Sequence, residues 1–259
     1  MGEFINVVIA EGVATLTLTR PPMNVLNFAV QAELAEMCTG LATNPDVRVV
    51  VFTGGDEVFA AGADVNEFVD LTEADMAVQV QTLQANLSAL SQLPQPTIAA
   101  VSGYALGGGC EVALACDIRI ASSTAVFGLP EVLLGIMPGA GGTARLTHLV
   151  GPARAKEIMW TGRFVKADEA LTMGLVTSVV APDELLAAAN KLAVTLAKRP
   201  ALAVQAIKRV VDKAVDANLA DALNIEAAEF TKLFGTNDKA IGMKSFLENG
   251  PGKANFEHS

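Results

Sequence analysis

Glu111 and Glu131 each occupy a setting in which a carboxylate can do chemistry. Glu111 closes the segment Gly103-Tyr104-Ala105-Leu106-Gly107-Gly108-Gly109-Cys110-Glu111, and Glu131 follows a proline in Phe127-Gly128-Leu129-Pro130-Glu131. A glycine turn that opens a helix leaves bare backbone N–H groups aimed at one spot, where negative charge is favoured. A second carboxylate brought near the first completes an acid/base pair beside an oxyanion site.

Each piece also has a plainer explanation. Consecutive glycines permit a close helix–strand contact. An acid in a first helical turn commonly compensates the helix dipole, and Glu131 can be a solvated helix start. Other chemistries fit less well. There is no G-x-G-x-x-G, and no Lys-Ser/Thr follows the glycines to make a phosphate loop. His148 is the one internal histidine, which leaves no Ser-His-Asp arrangement to argue. No His/Cys/Asp cluster suggests a metal.

The elements that must carry these residues follow from periodicity. Phe4–Ala10 and Val13–Thr19 read as strands joined by a tight turn at Glu11-Gly12. Residues 28–42 have helical spacing, and Val47–Thr53 is a β-branched run of the kind buried on both faces of a parallel sheet. A loop of small residues, Phe59-Ala60-Ala61-Gly62-Ala63-Asp64, follows that strand, where ligands gather in open α/β sheets. A helix is expected over 72–92, then a strand Thr97–Val101, the glycine turn, a short helix to Cys116 and a strand Asp117–Ala121. A second glycine turn, 138–144, precedes helices ending near Val150 and starting at Pro152. Val176–Val180 is the last expected strand, and helices alone follow Pro182. The chain therefore divides into an α/β body, 1–182, and a helical region, 183–259.

Composition narrows the function. Half of the 259 residues are hydrophobic, enough for a sizeable core, and the net charge of -10 opposes nucleic-acid binding, which needs clustered Lys and Arg. Cys38, Cys110 and Cys116 lack metal or disulfide spacing and read as reduced core thiols. No segment reads as a signal peptide or as a membrane span. A soluble, cytoplasmic protein is expected.

Taken together the motifs resemble the enoyl-CoA hydratase/isomerase (crotonase) family. The matching segments are 59–64, Ala100-Val-Ser-Gly-Tyr-Ala-Leu-Gly-Gly-Gly-Cys-Glu111, Cys116-Asp117, Phe127–Glu131 and Gly135-Ile-Met-Pro-Gly-Ala-Gly-Gly-Thr143, with weaker matches through Gly174-Leu175-Val176 and Phe234 to Gly242-Met243. The resemblance implies a spiral of strand–strand–helix (ββα) units with a helical C-terminal region that drives trimerisation, and assembly as a homotrimer or a homohexamer of paired trimers. It implies an acyl-CoA thioester as ligand, with no separate cofactor because coenzyme A belongs to the substrate. The oxyanion hole maps onto the N–H groups of Ala63 and Gly108, and the two hydratase acids map onto Glu111 and Glu131.

By the same resemblance CoA runs past Met23, Ala61, Asp64 and Val65, mainly through backbone contacts. The segment 20–26 is one residue shorter than the commonest family version, and Asn249–Lys253 replaces a more basic stretch, leaving Lys253 as the candidate cation for the CoA phosphates. Having both acids favours hydration of 2-enoyl-CoA. A related acyl-CoA dehydratase or a 3,2-enoyl-CoA isomerase would use the same residues. A non-catalytic CoA-binding scaffold or an RNA-binding member is opposed by the intact acid pair and the acidic composition.

Overall fold

The apolar run at 49–53 forms the middle of a six-stranded sheet in the computed structural model, which describes residues 2–259. In chain order the elements begin with β1 (Ile5–Ala10), β2 (Val13–Leu18), α1 (Phe28–Ala42), β3 (Val49–Thr53), α2 (Glu73–Leu87) and β4 (Thr97–Val101). They continue with β5 (Tyr104–Leu106), α3 (Gly108–Ala115), β6 (Ile118–Ser122), β7 (Val126–Gly128), α4 (Gly142–Val150) and α5 (Pro152–Thr161). The last are β8 (Val165–Lys166), α6 (Ala167–Thr172), β9 (Ser178–Val180), α7 (Leu185–Ala197), α8 (Ala201–Ala214), α9 (Leu219–Leu233) and α10 (Asn237–Asn249).

The main sheet runs β1-β2-β3-β4-β6-β9, with β1 antiparallel to β2 and every other pair parallel. The hairpin closes at Glu11 and Gly12, both at positive φ, the turn whose twist matches paired strands. Alternate residues of β3 face opposite cores: Val50 and Phe52 join one cluster, Val49 and Val51 the other. The second face is covered by α7, whose Leu185, Ala189, Ala193 and Ala197 recur every fourth residue and lie against Val49, Val51, Ile98 and Ala100. The first helix of the C-terminal region thus closes the core of the α/β body.

A second sheet, β5-β7-β8, was not expected from the sequence. Its strands have two or three residues each, too short to show an alternation. Its presence makes the spiral legible. The chain climbs from β4 in the main sheet to β5 in the small one and into α3, then from β6 to β7 and on towards α4. Several strand ends shift by one or two residues, β3 for instance starting at Val49 and not Val47, and two further boundaries have a local cause. The helix expected over 72–92 ends at Leu87, and a 3-10 turn spans Ala89–Gln92. There the Ser91 hydroxyl donates to the Ser88 carbonyl, offering the backbone an alternative to the helix. The last strand starts at Ser178 because the N–H groups of Leu175 and Val176 are taken by Ala170 O at the end of α6.

Beyond α7, α8 is tied to the sheet end by Lys208, whose Nζ donates to Asp117 Oδ2 (2.9 Å) and to Gln95 O (3.1 Å). The apolar stripes along α8 and α9 (Ile207, Val211, Val215, Leu219, Leu223 and Phe230) are exposed on the single chain. The three cysteines are buried and free, with burial pushing each thiol up to about 12.

Candidate active site

The site is assembled where the loop after β3 meets the turn between β5 and α3. The loop is held on both sides by backbone bonds. Leu26 N–H donates to Gly62 O (2.8 Å) and Asp64 N–H to Leu26 O (3.4 Å), while Ala60 N–H donates to Tyr104 O (2.9 Å) and Leu106 N–H to Ala60 O (3.0 Å). In this parallel bridge the residue between Gly62 and Asp64 turns its own N–H away from Leu26. That residue is Ala63.

Gly108 is the first residue of α3, so its N–H has no intrahelical acceptor. Its Cα sits so close to the loop that a Cβ there would lie 3.5 Å from Ala63 N. Among the described residues neither amide donates to the protein. Two N–H groups are therefore left side by side, one of them at a helix N-terminus. The preceding Gly107 has φ +49°, and its N–H donates to Gly128 O of β7 (2.9 Å). Gly109 packs directly on Ala60, where a Cβ would meet the carbonyl oxygen at 2.1 Å. Glycine is required at 107 by conformation and at 109 by contact.

Glu111 lies one turn into α3 and is 4% exposed. Its Oε1 accepts from Ala140 N–H (2.8 Å) and Gly142 N–H (2.9 Å), both in the second glycine turn, and Oε2 accepts nothing from the described residues. Burial raises its pKa, while the two N–H groups and the charge of Arg145 oppose that rise. Glu131 opens the 3-10 turn Glu131–Leu134, with its Oε1 3.4 Å from where a Cβ on Gly107 would sit. Its Oε2 is buried without a partner. Burial, reinforced by the charge of Glu111, pushes Glu131 up to about 7. Glu111 is the better hydrogen-bonded of the two, and Glu131 is the member that titrates near neutrality.

Of the other residues singled out in the sequence, Met23 and Ala61 are joined, since Ala61 N–H donates to Met23 O (3.0 Å). Ala61 has only its carbonyl and methyl left for a ligand. Asp64 is committed within the protein: its carboxylate accepts from Asn66 (2.9 Å) and from Arg20 (3.0 Å), which hold it below the usual carboxylate range. Val65 is 52% exposed at the rim. Lys253 is exposed just after the turn at Pro251-Gly252.

Sequence reasoning located the second glycine turn but not its task. That task is to present the N–H groups of Ala140 and Gly142 to Glu111. The signal was available: a Gly-Gly pair opening a helix, twice in one chain.

The raised pKa of Glu131 has a consequence for stability. The folded protein holds a proton that the unfolded chain releases between roughly pH 4.5 and 7, so this group makes stability fall as pH rises through that window. Glu131→Gln removes the term. Urea denaturation across this range should find the variant more stable than the parent above about pH 7, by roughly 1–3 kcal/mol, with the gap closing by about pH 5. A gap that does not vary with pH would contradict the assignment.

Comparison with known proteins shows the family and the fold. The enoyl-CoA hydratase/isomerase family profile matches residues 8–258. The chain is 43% identical over 237 residues to a probable enoyl-CoA hydratase of Mycobacterium tuberculosis, covering 91% of each protein. It is 42% identical over 248 residues to the crotonyl-CoA hydratase of Syntrophomonas wolfei, covering 95% of each. Its backbone matches the crystal structure of enoyl-CoA hydratase subunit I from Geobacillus kaustophilus with a TM-score of 0.95 at 42% identity, covering all of both chains. The chain belongs to the enoyl-CoA hydratase/isomerase family.

Proposed function

We propose that this protein hydrates 2-enoyl-CoA thioesters to 3-hydroxyacyl-CoA. The observation that carries the reading is the pair of unpartnered amides, Ala63 and Gly108, beside two carboxyls in different settings: Glu111 is held by two N–H groups, and Glu131 has a buried oxygen with no partner. Adding water to a double bond conjugated to a thioester builds enolate charge on the carbonyl oxygen. Two preorganised N–H donors stabilise that charge, and loss of one such donor typically costs about 10²–10³ in rate.

The carboxyls divide the remaining work. Glu111, ionised and fixed by two N–H groups on Oε1, has Oε2 to accept a water proton as the oxygen bonds to the β-carbon. Glu131, protonated near neutrality, delivers a proton to the α-carbon as the enolate collapses. Hydroxyl and hydrogen are then both in the product. One proton passed from Glu111 to Glu131 restores the pair.

CoA runs past Met23, Ala61, Asp64 and Val65, with contact through backbone because the Asp64 carboxylate is held by Arg20. Lys253 serves the phosphates. No cofactor beyond the CoA of the substrate takes part. The exposed apolar stripes of α8 and α9 support burial between chains in a homotrimer or a hexamer of paired trimers. The charge of -10 supports a small-molecule substrate over nucleic acid. Among the described residues no helix is long and apolar enough to cross a membrane, and a cytoplasmic location fits this reading.

The test is loss of absorbance at the conjugated thioester with crotonyl-CoA and longer enoyl-CoAs. The parent should hydrate them, and Glu111→Gln and Glu131→Gln should each lower kcat by two or more orders of magnitude while acyl-CoA binding, followed by calorimetry, stays within about threefold. Near-parental turnover in either variant removes that residue from the mechanism. Double-bond migration in a 3-enoyl-CoA without hydration of the 2-enoyl compound would assign an isomerase instead. Light scattering of the same preparation should give the mass of three or six chains, and a monomer would refute the assembly.

A further inference from the structure

Arg145 is a half-buried cation whose hydrogen-bond partners are all neutral. From α4 its Nη1 donates to Ala140 O (3.0 Å), and its Nη2 donates to Ser88 Oγ (3.0 Å) and more distantly to Ser91 Oγ (3.4 Å). It forms no ion pair among the described residues. A guanidinium withdrawn from water and bonded only to uncharged oxygens is costly unless its charge acts on something nearby. Ala140 is the residue whose N–H, with that of Gly142, holds Glu111.

The fit is built in. Gly141 has φ +103°, and a Cβ there would meet Arg145 Nη1 at 2.3 Å, so a side chain at 141 would push the guanidinium off Ala140 O. The same guanidinium pins the end of α2, because Ser88 caps that helix and Ser91 lies in the turn that replaces its last predicted part.

We infer that Arg145 is a positioning residue for the active site: it clamps the 140–142 turn against the end of α2 and keeps Glu111 ionised as the base, an inference that rests on the hydratase reading. Besides the N–H groups of Gly142 and Ala140, Arg145 is the group that favours the charge on Glu111. The Glu131 carboxyl faces it from the 3-10 turn and repels its charge. On its own helix the Cys110 thiol is neutral. α2 and the following turn bring Leu83, Leu87, Ser88 and Ser91, none of which titrates near neutrality. From β5 Tyr104 is half-exposed and packs on Phe164, and His148, farther along α4, lies 3.8 Å from Asp216.

The experiment compares parent, Arg145→Gln and Arg145→Lys in two ways. One is the pH profile of crotonyl-CoA hydration, and the other is the titration of Glu111 in the unliganded protein by carboxyl-carbon NMR. Removing the charge should raise the Glu111 titration and shift the acid limb of kcat/KM to higher pH. It should also lower kcat at about pH 8 by roughly 10–100-fold, with KM within about threefold. Lysine keeps the charge but not the planar fork, so it should return the acid limb and the titration towards parent while kcat stays several-fold low.

An Arg145→Gln protein with the parental Glu111 titration overturns the inference. If that variant does not fold, the lysine variant decides: lowered kcat at an unchanged acid limb supports the clamp, and unchanged kcat or a shifted limb refutes it. If the parent does not hydrate crotonyl-CoA, the hydratase reading fails by itself, and the NMR titration still decides whether Arg145 keeps Glu111 ionised.

Discussion

Everything at this site depends on how closely two backbones approach. The Ala60 carbonyl oxygen sits where Gly109 would carry a side chain, and Ala63 N lies 3.5 Å from where Gly108 would carry one. Any Cβ at 109 would push the β5–α3 turn off the loop, and the amides of Ala63 and Gly108 would part. The paired bonds between Ala60 and β5 on one side and between Leu26 and Gly62–Asp64 on the other hold the approach rigid. Rigidity matters because preorganised donors need no reorganisation when charge forms.

The electrostatics follow from that packing. Burying two carboxyls beside a helix N-terminus would leave both reluctant to ionise, and the asymmetry between them is created by hydrogen bonding. Glu111 receives two N–H groups and the field of Arg145, whereas Glu131 has an oxygen with no partner. A base and an acid are thereby made from the same side chain, set by environment alone. The second glycine turn is thus as much part of the site as the first, since it supplies the donors that make the distinction.

Much of this was legible in the residues. The strands that make up the main sheet, the two glycine turns and the short helix carrying Glu111 all follow from periodicity and turn chemistry, and the ordered motifs pointed to the family. The small sheet did not show itself, because β5, β7 and β8 are held by their neighbours and too short for a pattern. Nor did the end of α2, where serine hydroxyls and a distant arginine override helical spacing. Arg145 was invisible as a participant for the same reason: its importance lies in contacts with residues 88, 91 and 140, which sequence distance conceals.

The most direct measurement is a crystal structure of the protein with a bound, unreactive acyl-CoA thioester. The thioester oxygen should lie about 2.7–3.1 Å from both Ala63 N and Gly108 N, with the carboxyls of Glu111 and Glu131 on one side of the acyl chain. A thioester oxygen bound away from these two amides, or amides closed onto protein carbonyls, would contradict the account.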